Sequence, residues 1–365
     1  MDRPVVCVHD TAVLDEVLRL AAAAGTEVER VADVAALRAR WPVAPLVVLD
    51  EEAVARCRSA ALPRREAVVL VATGPPPPAL WEQAVGVGVA RVVELPAGQT
   101  WLVGALADAA DAPAGTAGRV LAVVGGRGGA GASTFAAALG LSALELGTGT
   151  LLVDCDPLGG GLDLVLSAED QPGLRWPDVR LRSGRVPVSS LRSALPGHTR
   201  SGARLTLLSS ARDGDGPAPE AVAAVVDAGR RGGETVVCDL PRAPDPAAHA
   251  ALDRADLTVV IAPAELRAAS ATRRVVAHLA DRGVRPGLVV RVPGPSALSP
   301  NAIAEAVGLP LLASVKTDPV LAHSIENGGF RLSGSIARAA RAVLRALADP
   351  PGSRVPRARP FLTRA

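Results

Sequence analysis

The chain has 365 residues, enough for two domains that each bury a core. Its formal charge of +2 is too small to point by itself to nucleic acid or membrane, and hydrophobic residues at 49% with aromatics at only 2% require cores of Ala, Val and Leu. No uninterrupted apolar segment approaches the ~20 residues of a spanning helix. Met1-Asp2-Arg3-Pro4 opens no signal peptide. A cytoplasmic protein is expected, and Cys7, Cys57, Cys155 and Cys238, without C-x-x-C spacing, are expected as reduced core thiols.

Strand-like runs at 4–8, 28–31, 46–49, 67–72 and 89–93 alternate with helical patterns such as 12–24 and 34–40. The second run is the weakest, because Glu29 and Arg30 interrupt it. Such β/α repeats predict a doubly wound parallel sheet over residues 1–110. Asp50 ends the third run and Leu95-Pro96 follows the fifth. This layout resembles a response-regulator receiver (CheY-like) domain, a resemblance that makes Asp50 the phosphoacceptor-like residue. A receiver also needs an acidic pair after its first strand and a lysine before the proline; His9-Asp10 and Leu95 stand there instead. An inactive, docking-type receiver is therefore expected.

Residues 111–118 read as a linker, within a stretch from 109 to 119 rich in Ala, Asp, Gly and Pro. A second α/β domain is expected over 119–349, with strands at 120–124, 150–154, 205–209, 234–238, 257–261 and 287–291 and a closing helix at 336–348. Residues 350–365 hold arginine and proline but no acid, and are expected to be disordered. The fold class is thus α/β, with two doubly wound parallel-sheet domains: a flavodoxin-type receiver-like domain, then a domain whose glycine-rich loop at 125–134, G-G-R-G-G-A-G-A-S-T, resembles that of a P-loop NTPase.

The P-loop assignment rests on Gly125-Gly126-Arg127-Gly128-Gly129-Ala130-Gly131-Ala132-Ser133-Thr134, which follows the apolar run 120–124 and opens a helical pattern at 135–146. From Gly126 to Ser133 the spacing is that of G-x-x-x-x-G-K-[ST], with Ala132 where the lysine belongs. Lys316 is the chain's single lysine, so no nearby lysine is expected to stand in. The glycines let backbone N–H groups converge on an anion where the helix dipole adds partial positive charge. Ser133 has the place of the magnesium-ligating hydroxyl. Two later runs end in carboxylates, Leu152-Val153-Asp154-Cys155-Asp156 and Thr235-Val236-Val237-Cys238-Asp239. An apolar run ending in Asp is the Walker B arrangement, whose acid holds a water on magnesium.

Together these elements resemble the MinD/ParA group of P-loop ATPases, whose deviant loop reads K-G-G-x-G-K-[ST]-T. The resemblance implies ATP or ADP with magnesium, held by Gly126, Arg127, Gly128, Gly129, Ala130, Gly131, Ala132, Ser133 and Thr134. It implies a metal supported by Ser133, Asp154 and Asp239, with Asp156 orienting the attacking water. Arg127 matches the family's lysine that reaches across a homodimer to the partner's phosphates. Val289-Val290-Arg291-Val292 lacks the asparagine that the family often uses to read adenine. Ala262-Pro263-Ala264-Glu265-Leu266 and Leu309-Pro310-Leu311-Leu312-Ala313-Ser314-Val315 are similar to further family segments. A receiver-like domain ahead of such an ATPase resembles CpaE/TadZ proteins, which place secretion and pilus machinery. Pro172-Gly173-Leu174-Arg175-Trp176-Pro177-Asp178 and the lysine-free loop look most like the actinobacterial CpaE-like branch, some of whose members are called septum site-determining proteins.

The expected function is spatial positioning for septum-site selection or for secretion or pilus assembly, with weak ATP binding or slow hydrolysis because of Ala132. A nucleotide-free pseudo-ATPase scaffold is one alternative. An NAD(P)-dependent Rossmann oxidoreductase is another, since Gly126, Gly128 and Gly131 also satisfy G-x-G-x-x-G, with Asp154 ending the next strand. From 171 to 205, Arg175, Arg180, Arg182, Arg185, Arg192, Arg200 and Arg204 face one acid, Asp178, which makes the stretch a candidate for non-specific DNA or a solvated insertion. The closing helix carries Arg338, Arg341 and Arg345, and its Ala-rich face is expected to pack on the domain. The basic tail beyond it is a candidate for weak contact with anionic lipid at the inner face of the membrane.

Overall fold

The computed structural model describes residues 3–75, 77–111, 118–179, 186–212, 216–294 and 298–349. In chain order the first domain contains β1 (Val5–Cys7), α1 (Thr11–Ala23), β2 (Glu29–Arg30), α2 (Val34–Arg40), β3 (Val47–Leu49), α3 (Glu51–Ser59), β4 (Val68–Ala72), α4 (Pro78–Val87), β5 (Val89–Glu94) and α5 (Gln99–Asp111). Its sheet is parallel throughout, in the order β2-β1-β3-β4-β5, the doubly wound order of flavodoxin and receiver domains. The strands β1, β3 and β4 are buried along their whole length, because helices cover both faces of a parallel sheet. Helices α1, α2 and α3 each start on an aspartate, Asp10, Asp33 and Asp50, whose carboxylate accepts from first-turn N–H groups. The β2 edge strand is only two residues long, as its two charged side chains require.

The second domain contains β6 (Arg119–Gly125), α6 (Ala132–Glu145), β7 (Thr150–Asp154), α7 (Leu162–Val165), α8 (Val188–Ala194), β8 (Gly197–Arg200), β9 (Ala203–Leu208), α9 (Pro219–Arg231), β10 (Thr235–Leu240), α10 (Pro246–Leu252), β11 (Leu257–Pro263), α11 (Leu266–Ala280), β12 (Gly287–Val292), α12 (Pro300–Val307), β13 (Leu311–Lys316), α13 (Pro319–Glu326) and α14 (Gly334–Ala348). The sheet order is β13-β12-β11-β6-β10-β7-β9-β8. Alternate residues of β6 point to opposite cores: Val120, Ala122 and Val124 into the one covered by α9 to α12, Leu121 and Val123 into the one covered by α6 and α14.

The structure refines the expected pattern at three places. The second sheet is not wholly parallel, because β8 pairs antiparallel with β9 across the Ser201-Gly202 turn; Gly197-His198-Thr199-Arg200 lacks an apolar run because it is an edge. Strand β13 is half-exposed and its alternation is too weak to read. The stretch from 109 to 111, expected in a linker sequence, is the end of α5, consistent with the helix preference of Ala109 and Ala110; residues 112–117 lie outside those described.

The order also bears on the dinucleotide alternative. In that fold the glycine-loop strand and the next strand in sequence are neighbours, whereas β10 lies between β6 and β7. The insertion of the Asp239 strand is the P-loop arrangement.

All four cysteines are buried free thiols, and burial pushes the Cys7 thiol up to about 11. The apolar face of α14 (Ile336, Ala340, Val343 and Leu347 among others) is buried in the second core, leaving Arg338, Arg341 and Arg345 outside. Among the described residues no helix is long and apolar enough to cross a membrane. The two domains meet where α5 packs on α8 and α9: buried Asp108 pairs with Arg231 at 2.7 Å and accepts from the Val188 N–H at 3.3 Å.

Candidate functional site

The glycine loop runs between β6 and α6 with its shape set by close packing. The Gly126 N–H donates to the Ile261 carbonyl at 2.8 Å, and a Cβ on Gly126 would lie 2.1 Å from Thr272 Oγ1. Gly129 and Gly131 have φ of +67° and +96°, the left-handed region where glycine carries no Cβ penalty. Gly131 is the N-cap of α6, so Ala132, Ser133 and Thr134 form its first turn with their N–H groups toward the loop.

Beneath the loop, Asp154 at the end of β7 and Asp239, next to last in the neighbouring β10, pair in direct register and are 2% and 3% exposed. Their environments differ. The Asp154 carboxylate accepts from the N–H groups of Asp156 (3.1 Å), Leu162 (3.1 Å) and Ser210 (3.2 Å), and the Ser209 hydroxyl oxygen lies 3.4 Å from it. It therefore ties together both ends of the 156–162 loop. Asp239 Oδ1 has no partner. Burial, reinforced by the Asp154 charge, pushes the Asp239 carboxyl up to about 8, although a hydrogen bond with Ser133 opposes the shift. Burial also raises Asp154, against its backbone donors. Asp156 is half-buried at the start of the loop and accepts from the Leu158 N–H at 3.0 Å; Leu158 itself is 95% exposed.

A second layer backs Asp154. The indole N–H of buried Trp176 donates to the Asp154 carbonyl at 2.5 Å. The Ser209 hydroxyl bridges to buried Asp163 at 3.1 Å. Asp163 in turn pairs with Arg175 at 3.1 Å and with Arg212 at 2.8 Å. Burial raises the Asp163 carboxyl, but the two arginines and Ser209 outweigh it and hold it below its usual value. The sequence segment from 172 to 178 thus packs behind the site, a role its residue pattern did not disclose. Ser209, placed in an expected strand, lies just past the end of β9.

Cations gather around the loop without entering the lysine's place. Arg127 Nη2 lies 2.9 and 3.0 Å from the Glu265 carboxylate oxygens, and its Nη1 donates to the Gly128 carbonyl at 3.0 Å. Arg291 donates to the Ala130 carbonyl at 3.0 Å and the Gly129 carbonyl at 3.1 Å. Lys316, remote in sequence, lines a cavity of about 330 Å³ that begins at Gly129–Gly131 and is floored by Ile261, Val289 and Val315. Parallel pairing of β12 with β13 thus brings Lys316 to the same cavity as the loop, although among the described residues no contact joins it to the loop.

Asp50 follows β3 as the N-cap of α3, with its carboxylate fully engaged. It caps α3 through the Ala53 N–H at 2.8 Å and accepts from Asp10 N–H at 3.0 Å and from His9, through both its backbone N–H and, at 3.3 Å, its ring Nδ1. Burial raises this carboxyl, and the hydrogen bonds from Ala53, Asp10 and His9 bring it below its ordinary value. Of the basic stretch, Arg175, Arg192, Arg200 and Arg204 all have partners within the domain; Arg180, Arg182 and Arg185 lie outside the described residues.

Comparison with known proteins agrees with this architecture. The family model "Rv3660c-like, CheY-like N-terminal domain" matches residues 7–117. The uncharacterized protein Rv3660c of Mycobacterium tuberculosis is 44% identical over 340 residues, 92% of this chain and 95% of that one. Among solved structures, the MinC:MinD cell division protein complex of Aquifex aeolicus matches with a TM-score of 0.52 at 22% identity over 62% of this chain and 96% of that chain. A ParA family ATPase from Chlorobium tepidum matches with a TM-score of 0.54 at 16% identity over 64% and 98%. The chain belongs to the Rv3660c-like family, with a CheY-like N-terminal domain ahead of a domain of the MinD/ParA P-loop fold.

Proposed function

We propose that this chain is a nucleotide-dependent positioning protein of the MinD/ParA type, acting as a homodimer that recruits division or secretion and pilus-assembly proteins. The observation that carries the reading is the uncompensated pair Asp154 and Asp239 beneath an anion-accepting loop. Two buried carboxylates sharing one free acceptor atom call for a cation, and a hard one suits oxygen donors. Ser133 and Asp239 fit magnesium as ligand and water-holding acid, while Asp154, already engaged by three backbone N–H donors, contributes charge and anchors the loop that carries Asp156. Bound magnesium would neutralise phosphate charge.

The chain's own residues do the rest. N–H groups of Gly128, Gly129 and residues 131–134 hold the phosphates, the cavity beside Gly129–Gly131 takes the base, and Asp156 orients a water. With Ala132 unable to supply a cation to the transferring phosphoryl group, turnover is slow. The cell-division role named for the Aquifex MinC:MinD complex and the partition-type ATPase fold support a positioning role here. A nucleotide-free scaffold is the second reading, favoured by Ala132 and by the engagement of Arg127 with Glu265. Calorimetric titration with Mg-ATP and Mg-ADP, using Asp239→Ala as control, separates them. Binding that the substitution weakens supports the switch; no binding at millimolar nucleotide leaves the scaffold.

A further inference from the structure

Arg291 lies in the segment that lacks the family's base-reading asparagine, and its guanidinium turns to the glycine loop. We infer that Arg291 is a positioning residue that holds the lysine-free loop in its anion-accepting shape, deepening the nucleotide reading above. Its Nε and Nη2 donate to the Ala130 and Gly129 carbonyls at 3.0 and 3.1 Å, and Nη1 reaches Thr317 Oγ1 at 3.5 Å. A trans peptide is planar, with its N–H opposed to its C=O. Holding the Ala130 carbonyl toward Arg291 therefore directs the Gly131 N–H away from it, and holding that of Gly129 does the same for Ala130. The Ala130 N–H closes onto the Arg127 carbonyl at 3.3 Å, which tightens the turn.

The loop needs such a clamp. Gly125, Gly126, Gly128, Gly129 and Gly131 give it a large conformational entropy when free, and Ala132 has no donor to tether it. The clamp comes from β12, a buried strand between β11 and β13, so its anchor is rigid. With the guanidinium engaged this way, base recognition is left to the apolar floor of the cavity and to groups at its rim such as Lys316 and Asp318.

Amide hydrogen exchange on the full chain without nucleotide tests the clamp directly, comparing wild type with Arg291→Met, which keeps an apolar stem, and Arg291→Lys. Loss of two charge-assisted hydrogen bonds should speed exchange in residues 126–131 by about tenfold or more in Arg291→Met. Arg291→Lys should restore part of the protection, with residues 287–290 unchanged in both. Unchanged loop exchange would overturn the inference, and Arg291→Gln carries the same test if the Met variant does not fold. In a second arm, Mg-ATP and Mg-GTP affinities should fall together in Arg291→Met. A loss confined to one base would overturn the inference and make Arg291 a base reader. If wild type binds neither nucleotide while the exchange arm responds, the clamp stands and the proposed function falls.

Discussion

Arg127 and Glu265 form a fork across the entrance of the glycine loop, with one guanidinium nitrogen 2.9 and 3.0 Å from the two carboxylate oxygens. Glu265 precedes α11 and Arg127 follows β6, so the pair joins the ends of two adjacent strands. It holds the loop's nearest cation on a carboxylate.

Releasing that cation should strengthen anion binding. Glu265→Ala is expected to raise affinity for pyrophosphate by about threefold to tenfold, since a partly exposed pair is worth roughly 1 kcal/mol. The gain should shrink with added salt. Isothermal titration at two ionic strengths checks it, and an unchanged affinity would show that Arg127 does not face the anion once freed.

Trp176 is a structural support for Asp154, so its indole N–H and its bulk should be separable. Trp176→Phe should destabilise the second domain by about 1 kcal/mol, the cost of one lost hydrogen bond. Trp176→Ala should cost about 3–5 kcal/mol through the cavity it opens. Urea unfolding measures both; equal losses would mean that the contact to the Asp154 carbonyl contributes nothing.

The raised Asp239 carboxyl makes stability pH-dependent from the acid range up to about pH 8. Unfolded, the group titrates at the ordinary 3.8; folded, it is pushed up to about 8. Between those values the folded state holds the extra proton, so this group's contribution to stability falls as pH rises and levels off above about 8. Melting curves from pH 5 to 9 should show that decline in wild type and a flatter course in Asp239→Asn. Magnesium added alone should raise the wild-type melting temperature more above pH 8 than at pH 6, where protons compete with it.

The contact between domains depends on Arg231. Removing it takes one charge-assisted hydrogen bond from the buried Asp108 carboxylate, so Arg231→Ala should weaken docking by about 1–2 kcal/mol. Faster limited proteolysis that separates the two domains, with second-domain unfolding little changed, is the expected signature; identical cleavage rates would place the docking energy elsewhere in the α5 contact.

Much of this molecule was legible as pattern. Periodicity located the first-domain strands and the apolar strands of the second, because strands buried on both faces are continuous apolar runs. Spacing alone placed Gly126–Thr134 at a strand-to-helix turn and Asp154 and Asp239 at strand ends, since a loop and two carboxylates at strand termini are local features. The edge strands β8 and β13 stayed hidden because a half-exposed strand carries little hydrophobic signal.

What only the tertiary structure decided was which distant groups meet. Strand order put Asp239 beside Asp154 and separated β6 from β7, a non-local choice that no window of residues contains. It turned Arg291 onto the loop, brought Lys316 to the cavity and set Trp176 behind Asp154. Those contacts depend on directions in space between elements separated by tens to more than a hundred residues. The sequence by itself determined the chemistry available at each strand end, because side-chain identity and local backbone preference are written residue by residue. Packing determined which of those groups share a site, because only the assembled sheet sets their distances and removes their water.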